Sequence, residues 1–429
     1  MRAACAAAGH PERAFRVIQI TGTNGKTSTA RLVDDLLRAE GVSSALYTSP
    51  SLISDTERIR VNGANISDTD LAVARKAVPD TLTPPTVIAG LTRNLALTEF
   101  EELTLACFLH LRDAAVDYAV LEVGMGGRWD ATSAAHPAVA VITGVALDHQ
   151  DFLGNTLEEI ATDKSHIIKP GSSVVLAESV QAQPSVKAIF TARAESFDLR
   201  LRDVTADSYH IHSTTPFHTT FDVTSSHTTY PDLMLNAPAY QASNAATAIF
   251  AVEAALARPL NPEKVRTALA GATFPGRFEL IREDPLLIFD GAHNPQAAQH
   301  LADLIEQLQL PQKPIIALGV LKDKDAAGII AALTPQASAF LPLTPPSPRA
   351  LPASALSDMI VSISGKEKVV SGNSDHSAGA KMLCRGRQTN RGREEYFSQL
   401  SPLHNMTKNQ PVIITGSLTL YPLIQSFLS

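Results

Sequence analysis

The sequence is short of cysteine, tryptophan, basic excess and long apolar runs. Its 429 residues include three cysteines (Cys5, Cys107 and Cys384) and one tryptophan. An odd, dispersed set of cysteines fits a reducing compartment better than a disulfide framework. No stretch reaches the roughly 18 consecutive apolar residues a membrane-crossing helix needs. The Ala-rich start, Met1 to Phe15, is broken by Pro11-Glu12-Arg13 before any apolar core of signal-peptide length. The 36 Lys and Arg against 43 Asp and Glu leave a formal charge of −7, so nucleic acid is not an expected partner. A cytoplasmic protein with no membrane and no nucleic-acid partner is expected. Small acidic substrates would have to be held by local Arg, Lys or metal ions.

What is present is a globular composition, 45% hydrophobic and 18% charged, in a chain long enough for two or three domains. The first half alternates short apolar runs with helical patterns. Arg16–Ile20, Tyr118–Glu122 and Val139–Thr143 read as strands and Thr27–Ala39 as an amphipathic helix, the signature of a parallel sheet with crossovers. From about residue 190 to 235 the chain turns rich in Thr, Ser and His, which predicts a small accessory β-sheet. His210, His212, His218 and His227 in this stretch are expected on an exposed strand face. Helical patterning returns at Gln241–Leu256, and Gly271–Gly276 is the best linker. A second alternation follows: strand Leu286–Asp290, helix Pro295–Gln309, strand Ile315–Val320, helix Asp325–Leu333 and strand Val412–Thr415. The expected architecture is α/β: a P-loop-type parallel-sheet ATPase domain over residues 1–274, then a Rossmann-like α/β domain over 275–429. Thr81–Leu97 and the basic run Arg385–Glu395 look foreign to their surroundings, and the second reads as a solvated loop insertion in preference to a patch for RNA or an acidic partner.

The strongest chemical signal is Thr21-Gly22-Thr23-Asn24-Gly25-Lys26-Thr27 between a strand and a helix. Glycines let backbone N–H groups close on phosphate oxygens, the helix N-terminus adds positive potential, and Lys26 neutralises phosphate charge. The hydroxyl of Thr27, or of Ser28 beside it, can approach the phosphates or Mg²⁺. The spacing departs from G-x-x-x-x-G-K-[ST] because residue 20 is Ile. Glu122 at one strand tip and Asp148-His149 after the next are expected to converge on these phosphates, since ligands of parallel sheets bind at the carboxyl ends of strands. Glu122 is a hard oxygen ligand for Mg²⁺ and His149 a candidate for a second metal site. A third strand-to-helix turn, Asp290-Gly291-Ala292-His293-Asn294-Pro295, has an active-site pattern, in which Asn294 could also be a simple helix cap.

With these turns the sequence resembles the Mur ligase superfamily and, within it, folylpolyglutamate synthase/dihydrofolate synthase. The resemblance is carried by Thr21–Thr27, Tyr47-Thr48-Ser49-Pro50 with Glu57-Arg58-Ile59, Leu121–Thr132, Leu147-Asp148-His149 and Gln241–Ala245. In the second half it is carried by Pro275–Glu279, Asp290–Pro295, Gly319–Asp325 and Thr415-Gly416-Ser417. It implies a ligase that uses ATP to phosphorylate a folate carboxylate, which the amine of L-glutamate then attacks. It also implies nucleotide contacts from Thr23, Asn24, Gly25, Lys26, Thr27, Ser28, Asn244, Arg277 and Asp290, and metal ligation by Ser49, Glu122 and His149 at two Mg²⁺ sites. Lys164 matches a lysine commonly carbamylated in the family, and Lys26, Lys164, Arg277 and His293 are the expected catalytic residues. Folate or dihydropteroate and L-glutamate are the implied substrates of a monomer whose domains close over them.

Three departures bear on the dihydrofolate synthase half of that activity. Ser51 stands where the family usually has His, Asp163-Lys164-Ser165-His166 replaces the usual Glu-Lys-Ala-Gly, and the segment before the first strand is short. A peptidoglycan-type Mur ligase and a non-catalytic nucleotide-binding paralogue remain as alternatives.

Overall fold

The computed structural model describes residues 1–79, 97–370 and 410–423. Of the segment Thr81–Leu97 only Leu97 is among them; Arg385–Glu395 and Cys384 lie outside. The chain divides into two compact units, residues 1–214 with 218–272, and 215–217 with 273–429.

The first unit is built on an eight-stranded sheet. Its strands are β1 (Arg16–Thr21), β2 (Ser44–Tyr47), β3 (Ile59–Val61), β4 (Ala64–Asn65), β5 (Tyr118–Glu122), β6 (Pro137–Ile142), β7 (Ser173–Leu176) and β8 (Leu201–Asp203), in the spatial order β4-β3-β2-β5-β1-β6-β7-β8. From β2 to β8 every pairing is parallel, and β3 and β4 add an antiparallel edge. Strands covered on both faces should read as unbroken apolar runs. β5 is buried throughout and β1 from its second residue on. Helix Lys26–Ala39 directs Leu32, Val33, Leu36 and Leu37 inward and packs against Tyr240–Leu256. The latter is buried along most of its length, mainly through alanines that permit close approach. Helix Glu99–Asp113 starts on a capping box between Thr98 and Glu101, an arrangement worth about 1 kcal/mol.

The accessory sheet is narrower than the sequence predicts. Residues 190–195 complete helix Pro184–Glu195, whose Val186, Phe190 and Ala194 are buried, and Leu201–Asp203 pairs with β7. The accessory sheet itself holds β9 (Tyr209–Thr215), β10 (His218–Thr224) and β11 (Thr229–Leu235) in the order β11-β10-β9. Residues 196–200 are a connection and not a strand, so composition placed the boundary early. His210, His212 and His227 are exposed and His218 is half-buried; His212 Nε2 lies 2.8 Å from Asp222.

The second unit carries a five-stranded sheet of β12 (Glu279–Arg282), β13 (Leu287–Phe289), β14 (Ile315–Leu318), β15 (Ala339–Pro342) and β16 (Val412–Thr415), ordered β12-β13-β16-β14-β15. All its pairings are parallel except that of the edge strand β12. Its core is aliphatic, with Phe289 stacked edge-on to Tyr421. Among the described residues no helix is long and apolar enough to cross a membrane.

Candidate active site

β1 lies between β5 and β6, so the loops leaving these strands emerge side by side at their carboxyl ends. The turn after β1 is held by the loop after β6. Thr23 N donates to the Gly144 carbonyl (2.9 Å), Thr23 Oγ1 to Ala146 O (3.1 Å), and Thr143 Oγ1 to Asn24 O (2.6 Å). Gly22 has φ +154°, and a Cβ there would lie 2.0 Å from Thr143 Oγ1. No side chain fits at that point, which is why the chain has glycine.

Both lysines meet at this turn. Lys26 Nζ donates to Gly22 O and Thr23 O (3.0 Å each), and Lys164 Nζ donates to the same Gly22 carbonyl (2.9 Å). Lys164 ends helix Leu157–Lys164, which opens on a capping box between Thr156 and Glu159, and it is 3% exposed. Burial and then the nearby Lys26 charge push its amine down to about 7, against the opposing pull of Asp148, Asp163 and Asp130. A buried ammonium loses hydration that one bond to a carbonyl does not replace.

The acidic side is assembled from β2 and β5. Glu122, 1% exposed, accepts from Thr27 Oγ1 on Oε1 (2.8 Å) and from the Ser49 N–H on Oε2 (3.3 Å). Ser49 follows β2, and the Ser49–Pro50 peptide is cis. Ser51 donates to Asp55 at 3.5 Å. His149 caps the short helix Gln150–Leu153 at φ +52°, with its backbone N–H on Asp148 Oδ1 (2.9 Å) and Nε2 3.9 Å from Asp148 Oδ2. On the other flank Asn244 Oδ1 accepts from Thr29 Oγ1 (3.4 Å), and Gln241 joins Asn244 to Ser28.

The structure thus brings Thr23, Asn24, Gly25, Lys26, Thr27, Ser28, Ser49, Glu122, Lys164 and Asn244 together at one end of the first sheet. The sequence assigns no role to Thr143, Gln241, Asp130 or Asp163, although the last three lie in or beside its motifs. Asp130 accepts from Gly124 N, Met125 N and both Thr132 donors, yet burial raises its carboxyl above the ordinary range. The Asp130 contacts stay within its own loop, whereas Thr143 reaches Asn24 and Asp163 reaches Gly127 across 119 and 36 residues, which no spacing rule reveals.

In the second unit, the turn after β13 is organised by Asp290. Its carboxylate accepts from Phe278 N (2.7 Å) and Ala292 N (2.8 Å), and burial raises its pKa against the lowering influence of Arg277. Arg277 Nη1 donates to Gly276 O (3.2 Å), and His293 Nδ1 donates to Gly291 O (2.8 Å). Asn294 is a helix cap: its Oδ1 accepts from Ala297 N at 2.9 Å.

The chain is similar to known proteins in both sequence and fold. Residues 20–252 match the Mur ligase middle domain, and residues 276–387 match the Mur ligase glutamate ligase domain. The chain is 34% identical over 420 residues to the folylpolyglutamate synthase of Lacticaseibacillus casei, covering 96% of this chain and 90% of that protein. It superposes on Mycobacterium tuberculosis folylpolyglutamate synthase complexed with ADP and AMPPCP with a TM-score of 0.81 and 29% identity, covering 100% and 94% of the two chains. A bifunctional folylpolyglutamate synthase/dihydrofolate synthase solved with Mn, AMPPNP and L-glutamate bound gives 0.79 and 26%, covering 100% and 93%.

Proposed function

The chain belongs to the Mur ligase family, and from that premise we propose that it is an ATP-dependent ligase joining L-glutamate to a folate, and dihydropteroate to glutamate, through an acyl phosphate. The observation that carries this is the meeting of Lys26 and Lys164 on the Gly22 carbonyl, beside the Glu122–Thr27 pair. Transfer of a phosphoryl group asks for positioning and charge neutralisation more than for a covalent protein group. Lys26 and the N-terminus of helix Lys26–Ala39 supply positive potential where the polyphosphate binds. Thr23, Asn24, Gly25, Thr27 and Ser28 line that turn, and Asn244 bounds it. Arg277 and Asp290 are assigned to nucleotide contacts, with Arg277 stabilising the transferred charge, and His293 to the glutamate or acyl-phosphate region. A cytoplasmic monomer is the form proposed.

The residues present suit a divalent cation of the Mg²⁺ type. Among the described residues no group of three or more His, Cys, Asp or Glu is disposed to hold a metal, as a Cys- or His-rich site would be. Mg²⁺ instead takes one or two carboxylates, with phosphate and water completing an oxygen shell. Glu122 together with the Ser49 hydroxyl is such a set, and His149 is assigned to a second site. A bound cation would neutralise charge on the transferred phosphoryl group.

Lys164 is proposed to react with carbon dioxide. An ammonium cannot ligate a metal, whereas a carbamate is anionic and can. The amine nitrogen must be neutral to attack carbon dioxide, and an amine pushed down to about 7 is neutral in a large fraction at physiological pH.

ADP release measured with ATP, a reduced folate and glutamate tests the assignment: turnover should require all three. Turnover with a UDP-sugar substrate and none with folates would overturn it, and nucleotide binding without turnover on either would point to a non-catalytic paralogue.

A further inference from the structure

Lys164 is the last residue of an eight-residue helix, and ends of short helices fray unless something holds them. Its neighbour Asp163 supplies the hold. Asp163 Oδ1 accepts from Gly127 N (2.9 Å) and Arg128 N (3.3 Å), in the Gly-rich turn that follows Glu122. The approach is close enough to require two glycines. A Cβ at Gly126 (φ +67°) would lie 2.2 Å from Asp163 Oδ1, and one at Gly127 would lie 2.8 Å from the Lys164 carbonyl.

The same turn is tied to β1, since Thr21 Oγ1 donates to Gly126 O at 2.6 Å. Lys164 Nζ returns to Gly22, the residue after Thr21. The contacts therefore close a ring: Thr21 to the Gly126–Arg128 turn, to Asp163, to Lys164 and back to Gly22. A ring closed at both ends fixes the amine far more tightly than a single hydrogen bond from a long side chain.

We propose that Asp163 is a positioning residue, which aims the Lys164 amine by clamping the end of its helix to the Gly126–Arg128 turn. The consequence for catalysis rests on the ligase assignment above; the clamp itself does not. Lys169 provides the comparison. Its Nζ donates to Ser133 O (2.7 Å) and Ala135 O (2.5 Å), lacing the same two segments together further along, outside the ring.

The test uses the full-length chain as wild type, Asp163→Ala, Asp163→Asn and Lys169→Met. Cyanate modification of Lys164 in carbonate-free buffer, followed by mass spectrometry, reads how well the amine is held without reference to turnover. Asp163→Ala should raise that rate roughly ten-fold, as loss of two charge-assisted hydrogen bonds at a helix end would. It should lower kcat by ~10- to 100-fold, with KM for ATP changed little, because a small misplacement of a catalytic group costs that much. Asp163→Asn removes the carboxylate charge that favours the Lys164 ammonium but keeps an oxygen acceptor toward Gly127 and Arg128. Its modification rate should therefore stay well below that of Asp163→Ala, and its kcat should recover to within about three-fold. A rate equal to that of Asp163→Ala would mean that lost charge, not the clamp, sets the reactivity. Lys169→Met should lower the thermal midpoint while leaving the Lys164 modification rate and kcat near those of wild type.

Equal modification rates in wild type and Asp163→Ala would overturn the clamp, as would turnover lost by Asp163→Ala and Lys169→Met in proportion to their loss of stability. If the wild type turns over no folate, the ligase assignment falls, and the modification rates still decide the clamp.

Discussion

Two strand-to-helix turns, Thr21–Thr27 after β1 and Asp290–Pro295 after β13, occupy equivalent places in parallel sheets and bury opposite charges. In the first, two ammonium groups donate to one carbonyl, Gly22 O. In the second, one carboxylate accepts two backbone N–H groups, from Phe278 and Ala292. Burial acts on both toward the neutral form, pushing the Lys164 amine down to about 7 and raising the Asp290 carboxyl. The crevice at a strand end is therefore a site of either sign, and the side chains set which. Both turns direct their charge at their own backbone, and the first is the one proposed to turn it toward a ligand.

The largest effects should come from removing those charges, and they should differ in kind. Lys164→Ala deletes a desolvated amine, and Gly22 O keeps its bond from Lys26, so little stability is lost. Turnover should fall by ~10³-fold or more with ATP affinity within a few-fold of wild type, as expected for a group needed at the reacting centre. Asp290→Ala strands two buried N–H groups, which costs about 2–4 kcal/mol before any catalytic loss is counted. Urea unfolding and isothermal titration with ATP would separate the two. Parallel losses of stability in both variants would erase the contrast between the two turns.

The contrast was only half visible in the sequence. Gly22, Gly25, Lys26 and Thr27 were legible because the strand, the turn glycines and the helix follow in order, and Glu122 because it ends the apolar run Tyr118–Glu122. Asp290–Pro295 was legible as a turn, and Asn294 resolves there as a cap. Helix Glu99–Asp113 was passed over although Thr98 and Glu101 spell a capping box, a local signal that was present. β2 and β7 are four-residue runs too short to be distinguished by periodicity. The links of Thr143 to Asn24 and of Asp163 to Gly127 join residues 119 and 36 apart, so no local pattern encodes them.

Glycine replacement should give the next largest contrast. At Gly22, φ +154° and Thr143 Oγ1 at 2.0 Å leave an added methyl no room, with the Gly144 backbone 3.2 Å away on the same side. Gly22→Ala should reduce ATP affinity by roughly 10- to 100-fold through displacement of the phosphate turn. At Gly291 an added methyl meets Arg277 Nη1 at 2.4 Å and Leu418 Cδ2 at 2.3 Å, the far ends of flexible side chains that can swing away. Gly291→Ala should cost less than about ten-fold in ATP affinity and turnover, through Arg277 alone. Nucleotide titration of both variants checks the order, and a Gly291→Ala loss as large as that of Gly22→Ala would show that the second turn is as unforgiving as the first.

The pH dependence of stability is the most direct reading of opposite buried charge, because the two turns should tilt stability in opposite directions with pH. The Lys164 amine titrates near 7 in the folded chain against 10.5 for an ordinary lysine. Between those values the unfolded chain carries a proton that the native chain lacks, so stability rises with pH, by at most about 1.4 kcal/mol per pH unit. Below about 7 both states are protonated and the slope from this group vanishes. Asp290 is raised above the ordinary carboxyl value of 3.8, so just above that pH the native chain holds a proton the unfolded chain has released. Its contribution therefore falls as pH rises through that window. Urea unfolding in carbonate-free buffer, for wild type, Lys164→Ala and Asp290→Asn, isolates each slope by difference. Lys164→Ala should flatten the rise between pH 7 and 10.5, and Asp290→Asn should flatten the fall in the acid range. A Lys164→Ala curve parallel to wild type above neutral pH would mean that the amine is not held neutral in the fold, and the proposed reactivity of Lys164 toward carbon dioxide would lose its physical basis.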